Sequence, residues 1–184
     1  MLIGPNHFLV ATVAVTAVAA GYDLKTGHIP NWVTLGPLAV APVAWLAFGW
    51  SVGGSFRAGI SAAQWSVLGA IACALVPLLL YRLNAIGGGD VKLLVAVGAL
   101  CQWLIGIEAE FYAFIAAALF APARLAWEGK LLKTLGNTFV LVANPFLPKA
   151  KRRDIPSEAM TSLRFGPAIF AGALIAAILH WRTK

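Results

Sequence analysis

Long apolar runs follow one another along this chain and are interrupted mainly at charged residues and at Gly/Pro clusters. Six runs can be delimited, at about 5–22, 33–50, 62–81, 91–107, 109–126 and 164–181. A helix of roughly 20 apolar residues is long enough to cross the hydrocarbon core of a bilayer. The pattern therefore predicts an all-α, polytopic membrane protein with about six transmembrane helices.

Composition supports this prediction, since 60% of the 184 residues are hydrophobic and 11% are charged, with a mean hydropathy of +0.83. Soluble domains carry about 25% charged residues, and disordered chains combine low hydrophobicity with high charge. Both classes are excluded. The two cysteines, Cys73 and Cys101, lie in apolar runs without a CxxC pattern, and the three histidines are scattered. We therefore expect no metal and no cofactor.

The positive charge of the chain, formally +7, predicts its orientation. With six spans, eleven of the 14 Lys and Arg residues fall on the face reached by the loops after the first, third and fifth spans. Lys and Arg collect in cytoplasmic loops, so both termini are expected outside the cytoplasm of a multi-pass inner-membrane protein. This topology explains the charge without a nucleic-acid partner.

One long loop is expected, at about 128–163, within a single membrane-embedded domain that covers 1–184. Its second half carries a basic cluster of Lys149, Lys151, Arg152 and Arg153. Such clusters bind anionic lipid headgroups at the membrane surface. Docking of a substrate on this cluster remains an open alternative.

Two aspartates lie where acids are unusual in a membrane protein. Asp23 directly follows the first span, and Asp90 opens the fourth span after three consecutive glycines. The charge count places both at the cytoplasmic ends of their helices. Ionisable groups at a membrane boundary are functional candidates. We predict that the first and fourth helices pack together, with both carboxyl groups in reach of one shared water. Simpler interpretations stay open: Asp90 as a helix cap and Asp23 as a partner of Lys25.

A pair of carboxyl groups of this kind suits aspartic proteolysis. Two carboxylates a few ångströms apart do not ionise together easily, so they share one proton near neutral pH. The ionised group takes a proton from the attacking water, and the protonated group donates to the scissile carbonyl oxygen. Because the titration belongs to the pair, neither aspartate has an assigned role at this stage.

These motifs resemble those of the prepilin peptidases, which are membrane aspartic proteases of the GxGD type. The first motif is Asp23 followed by Ile29, Pro30 and Asn31, and the second is Gly87, Gly88, Gly89, Asp90 and Lys92. A weaker third similarity is Phe165, Gly166, Pro167 and Ala168, and the resemblance covers about 8 to 180. The chain departs from relatives at Arg164, where they often have Pro or a small residue, so the role of the third motif stays open.

The resemblance implies that Asp23 and Asp90 are catalytic and that the other residues of the first two motifs bind substrate or support the site. It also implies removal of the leader from type IV prepilin-like or pseudopilin precursors at the cytoplasmic face. Larger members carry a cytoplasmic insertion with paired CxxC motifs and also N-methylate the product. This chain has no such cysteines, so it resembles the short form that serves Flp-type, tight-adherence pili, without a separate methyltransferase domain.

Two other function classes remain open beside the protease. A proton- or cation-coupled transporter would bind its ion at the aspartates, although such sites are expected near the middle of the membrane rather than at one edge. A non-catalytic membrane subunit of a pilus or secretion system would tolerate Asp→Asn at both positions.

Overall fold

The computed structural model describes residues 6–83, 85–127, 129 and 164–181, and their regular structure is entirely α-helical. The helices are α1 (Asn6–Thr26), α2 (Asn31–Gly53), α3 (Phe56–Arg82), α4 (Gly88–Trp127) and α5 (Gly166–Leu179). The all-α prediction is thereby confirmed. Within the described ranges, four helices are long and apolar enough to cross a membrane, and α5 is a shorter apolar helix. The expected count of about six spans is not supported.

The count differs because two of the expected spans form the single helical element α4. The sequence predicted a break near residue 108, whereas the helical backbone is interrupted at Gln102, which has φ 61° and ψ 178°. A Cβ placed on Gly106 would lie 2.8 Å from the Cα of Gly98. Residues eight apart in a straight helix are about 12 Å apart along the axis. The chain therefore folds back on itself at Gln102.

Side chains from α2 and α3 bind the backbone just before this reversal. Trp45 donates its indole N–H to the Leu100 carbonyl at 3.0 Å, and the Ser66 hydroxyl donates to the Ala99 carbonyl at 2.6 Å. The last carbonyls of a helix have no partner within the helix. These two hydrogen bonds therefore satisfy backbone groups that the break leaves free in an apolar interior.

The predicted packing between the first and fourth helices is confirmed. The Thr12 hydroxyl of α1 lies 3.1 Å from the Cys101 sulfur of α4, and both side chains are buried. Leu9 of α1 shares a buried apolar cluster with Leu93 and Val97 of α4. In addition, α1 packs along α5, and α2 packs along α3. Helix α1 is thus held between α4 and α5, which fixes the position of its last turn.

The chain divides into two compact units, 1–117 with 164–184, and 118–163. The described residues of the second unit are the end of α4 and Gly129. Apart from that glycine, the expected loop at about 128–163 and its basic cluster lie outside the described residues. Both aspartates belong to the first unit.

Candidate active site

Asp23 lies in the last turn of α1 and is 6% exposed. Its Oδ2 accepts a hydrogen bond from the backbone N–H of Gly166, at 2.9 Å, and Gly166 is the first residue of α5. The first N–H groups of a helix have no partner within the helix, and a negative charge beside them is stabilised by the helix dipole. The carboxylate of Asp23 is therefore held at the N-terminus of α5.

Asp90 is the third residue of α4 and is 8% exposed. Its Oδ2 accepts a hydrogen bond from the backbone N–H of Gly87 at 3.2 Å. This contact is a helix-capping hydrogen bond, the simpler interpretation that the sequence left open. Capping alone does not explain why the carboxyl group of Asp90 is buried, because a helix cap can be exposed to solvent. A Cβ on Gly87 would lie 3.1 Å from the same oxygen, so glycine leaves room for the carboxylate.

The two aspartates come from different helices and interact electrostatically, because the charge of Asp23 acts on Asp90. Each carboxylate is also anchored by one glycine N–H, from Gly166 and from Gly87. Two like charges in a buried setting disfavour ionisation of both groups at once. The arrangement can therefore hold one proton between two fixed carboxyl groups.

The remaining residues of the first two motifs meet beside this pair. Ile29 is buried, and a Cβ on Gly89 would lie 3.3 Å from its Cβ. Pro30 occupies the N-cap position of α2 with an extended backbone. The segment that joins α1 to α2 thus packs against the glycine run that opens α4, so closely that a side chain at Gly89 would require Ile29 to shift by a few tenths of an ångström.

Lys92 and Asn31 form a second link between the motifs. The Lys92 Nζ donates a hydrogen bond to the Asn31 Oδ1 at 2.9 Å, in an exposed setting. Asn31 is the first residue of α2 and Pro30 is its N-cap, so the Asn31 side chain binds Lys92 and does not serve as the cap of its own helix. The starts of α2 and α4 are joined at this point.

Sequence reasoning missed three features of this region. The first is the contact between Gly166 and Asp23, which only the weak third motif indicated. The second is Arg164, the residue that departs from relatives, which donates a hydrogen bond from Nη1 to the Leu24 carbonyl. Glu110 is a further buried acid within α4 that adjoins the Cys73 thiol. The sequence signal for Glu110 was an acid inside an apolar run.

In the described ranges, no group of three or more His, Cys, Asp or Glu residues is placed to hold a metal ion.

Comparison with known proteins agrees with the motifs. The model of the type IV leader peptidase family matches residues 10–122, a range that contains Asp23 and Asp90. No match was found among curated proteins or among solved structures. The family match covers more than half of the chain and both aspartate motifs. The chain therefore belongs to the type IV leader peptidase family.

Proposed function

We propose that this chain is a membrane aspartic endopeptidase that removes the leader from type IV prepilin-like precursors, with Asp23 and Asp90 as its catalytic pair. The observation that carries the proposal is the pair itself: two buried, interacting carboxyl groups from different helices, each anchored by a glycine N–H. Membership in a peptidase family supports the same chemistry.

In the proposed mechanism, a water molecule lies between the two carboxyl groups. The ionised carboxylate takes a proton from this water as its oxygen attacks the scissile carbonyl carbon, while the protonated carboxyl group donates its proton to the carbonyl oxygen. The C–N bond of the resulting diol breaks when the newly protonated carboxyl group gives its proton to the leaving amine, while a hydroxyl proton of the diol passes to the other carboxylate. One proton therefore remains on the pair, and the pair is ready for the next cycle.

The supporting residues hold the segments around this pair. Contact between Ile29 and Gly89, and the hydrogen bond from Lys92 to Asn31, join the starts of α2 and α4. We propose that these links keep Asp90 at its distance from Asp23 and that the glycine run leaves space for an extended peptide. A glycine backbone without a Cβ permits such a close approach.

The proposed membrane topology follows from the charge count and from the reversal at Gln102. If each arm of α4 crosses the bilayer, the chain crosses six times, and both termini lie outside the cytoplasm. Asp23 and Asp90 then lie at the cytoplasmic side, where a precursor inserted through its apolar helix presents its leader. The lack of paired CxxC motifs supports a substrate of the Flp type.

Leader removal from a co-expressed Flp-type prepilin tests this proposal, read by gel shift and N-terminal sequencing. Wild type is compared with Asp23→Asn and Asp90→Asn, and Glu110→Gln serves as a matched replacement of a buried carboxyl group outside the pair. We expect cleavage by wild type and by Glu110→Gln, and a loss of about 10²–10⁴-fold in each aspartate variant. Cleavage at the wild-type rate by either aspartate variant would refute the assignment.

A second candidate function, proton- or cation-coupled transport, is favoured by one observation. Glu110 is an acid buried in an apolar helix, and such residues often mark ion pathways. Proton or sodium flux into proteoliposomes that is lost in Glu110→Gln would support transport. Equal flux in wild type, Glu110→Gln and protein-free vesicles would reject it.

A further inference from the structure

Two residues at the start of α5 or just before it donate hydrogen bonds to the last turn of α1. Arg164 donates from Nη1 to the carbonyl oxygen of Leu24, and Gly166 donates its backbone N–H to the Oδ2 of Asp23 at 2.9 Å. These two contacts are called the α5 clasp below. Phe165, the residue between these two donors in the sequence, is buried, with 5% of its surface exposed. Its ring centroid lies 5.6 Å from that of Phe114 in α4. The clasp is therefore fixed to the helical core.

The Arg164 contact falls on a backbone group that needs a partner. Helix α1 ends at Thr26, so the Leu24 carbonyl is among the last four, which have no partner within the helix. A guanidinium beside these carbonyls also complements the negative end of the helix dipole. Because Leu24 follows Asp23 directly, this hydrogen bond restrains the backbone that carries the carboxylate.

The Gly166 contact leaves no room for a side chain. A Cβ on Gly166 would lie 2.9 Å from both the Cβ and the Oδ2 of Asp23. By contrast, a Cβ on Gly21 or on Gly36 would meet nothing within 4 Å. Any side chain at position 166 must therefore displace the carboxyl group of Asp23 or move α5 away from it.

We propose that Gly166 and Arg164 are positioning residues for Asp23, and that the α5 clasp sets the orientation in which its carboxylate faces Asp90. This inference rests on the proposed proteolytic function and extends it to a third segment of the chain. The hydrogen bond from Gly166 stabilises the charged carboxylate, and Arg164 acts only through the backbone. Neither residue needs to touch the substrate.

The first test is steady-state cleavage of a prepilin by purified full-length protein, comparing Gly166→Ala with the matched control Gly36→Ala. We expect kcat of Gly166→Ala to fall about 100-fold with KM unchanged, since a misplacement of about 1 Å has this effect on chemistry. Gly36→Ala should retain the wild-type kcat and KM.

Two results would overturn the inference. One is a wild-type kcat in Gly166→Ala. The other is a fall in kcat no larger than the fall in the folded fraction of Gly166→Ala, measured by circular dichroism on the same sample, because such a fall needs no change at Asp23. Failure of wild type to cleave any prepilin tried would count against the proposed function instead, so the two failures are distinguishable.

Arg164 supplies a second test that does not depend on the folding of Gly166→Ala, because its side chain is exposed. We expect kcat of Arg164→Ala to fall several-fold at constant KM, as loss of one hydrogen bond to a charged group predicts. Arg164→Lys should recover part of the activity, since its ammonium group can still donate to the Leu24 carbonyl. Equal kcat values in wild type, Arg164→Ala and Arg164→Lys would overturn the inference.

Discussion

Two regions of this protein depend on glycine, and they depend on it for different reasons. Near the reversal of α4, a Cβ on Gly98 would lie 2.3 Å from the Gly69 carbonyl oxygen, and a Cβ on Gly69 would lie 2.2 Å from the Gly98 carbonyl oxygen. At the α5 clasp, a Cβ on Gly166 would meet atoms of the Asp23 side chain. At the reversal, the neighbouring atoms belong to the backbone. At the clasp, they belong to the side chain of Asp23, which carries the proposed chemistry.

This difference separates stability from activity. Small residues let membrane helices approach until their backbones touch, and that packing is a main source of helix association in a bilayer. At the crossing of α3 and α4, an added methyl group can be accepted only if the helices move apart. At the clasp, the carboxylate of Asp23 can rotate away instead. The same Gly→Ala change should therefore lower the stability of the fold at the helix crossing and lower the activity at the clasp.

The largest effect on stability is expected for Gly98→Ala. Overpacking of a close contact costs about 1–3 kcal/mol of unfolding free energy, and here the contact is with backbone. Thermal unfolding in detergent micelles, followed by circular dichroism, should show a lower Tm than in wild type and in Gly36→Ala. An unchanged Tm for Gly98→Ala would show that α3 and α4 do not come into backbone contact at this crossing.

An intermediate effect is expected for Lys92→Met, which keeps the apolar stem but removes the hydrogen bond to Asn31. One such bond contributes about 0.5–1.5 kcal/mol, so kcat/KM should fall about 2- to 10-fold. The control is Arg57→Met, which removes an exposed charge near the start of α3. Wild-type kcat/KM in Lys92→Met would mean that the link between α2 and α4 does not support the site.

The smallest effect is expected at the other end of α5, where the His180 Nε2 lies 2.6 Å from the Glu108 Oε2. Even as an ion pair, a partly exposed contact of this kind contributes no more than about 1 kcal/mol, so His180→Gln should change the unfolding free energy by no more than this. Its kcat should equal that of wild type, because the clasp lies at the opposite end of the helix. A loss of kcat as large as that of Gly166→Ala would contradict this separation of roles.

Much of the fold could be predicted because apolar runs alone determine which segments form membrane helices. The position of the reversal within α4 could not be predicted from the sequence. Gln102 lies inside a continuous apolar pattern and is stabilised there by a hydrogen bond from its side-chain amide to the Ala62 carbonyl at 3.4 Å, a contact 40 positions away. No local signal identifies such a partner. The same holds for Gly166 and Asp23, which are 143 positions apart.

The candidate site was predictable to the extent that its residues lie in short motifs. Asp23 and Asp90 stand out as acids at the ends of apolar runs, and the chain brings them into electrostatic contact. Roles for Lys92 and Asn31 remained ambiguous in the sequence, because a lysine at the membrane surface also serves topology. Their hydrogen bond to each other depends on how α2 and α4 pack, which the residues themselves do not specify.

We propose that Asp23 and Asp90 act as one unit, and a double-mutant comparison tests this most directly. Single-turnover cleavage of a prepilin by purified protein would be measured for wild type, Asp23→Asn, Asp90→Asn and the double variant. Residues that act together in one step lose activity non-additively. We predict that the double variant is no slower than either single variant, with all three far below wild type. Losses that multiply, or a single variant that retains most of the wild-type rate, would contradict the account.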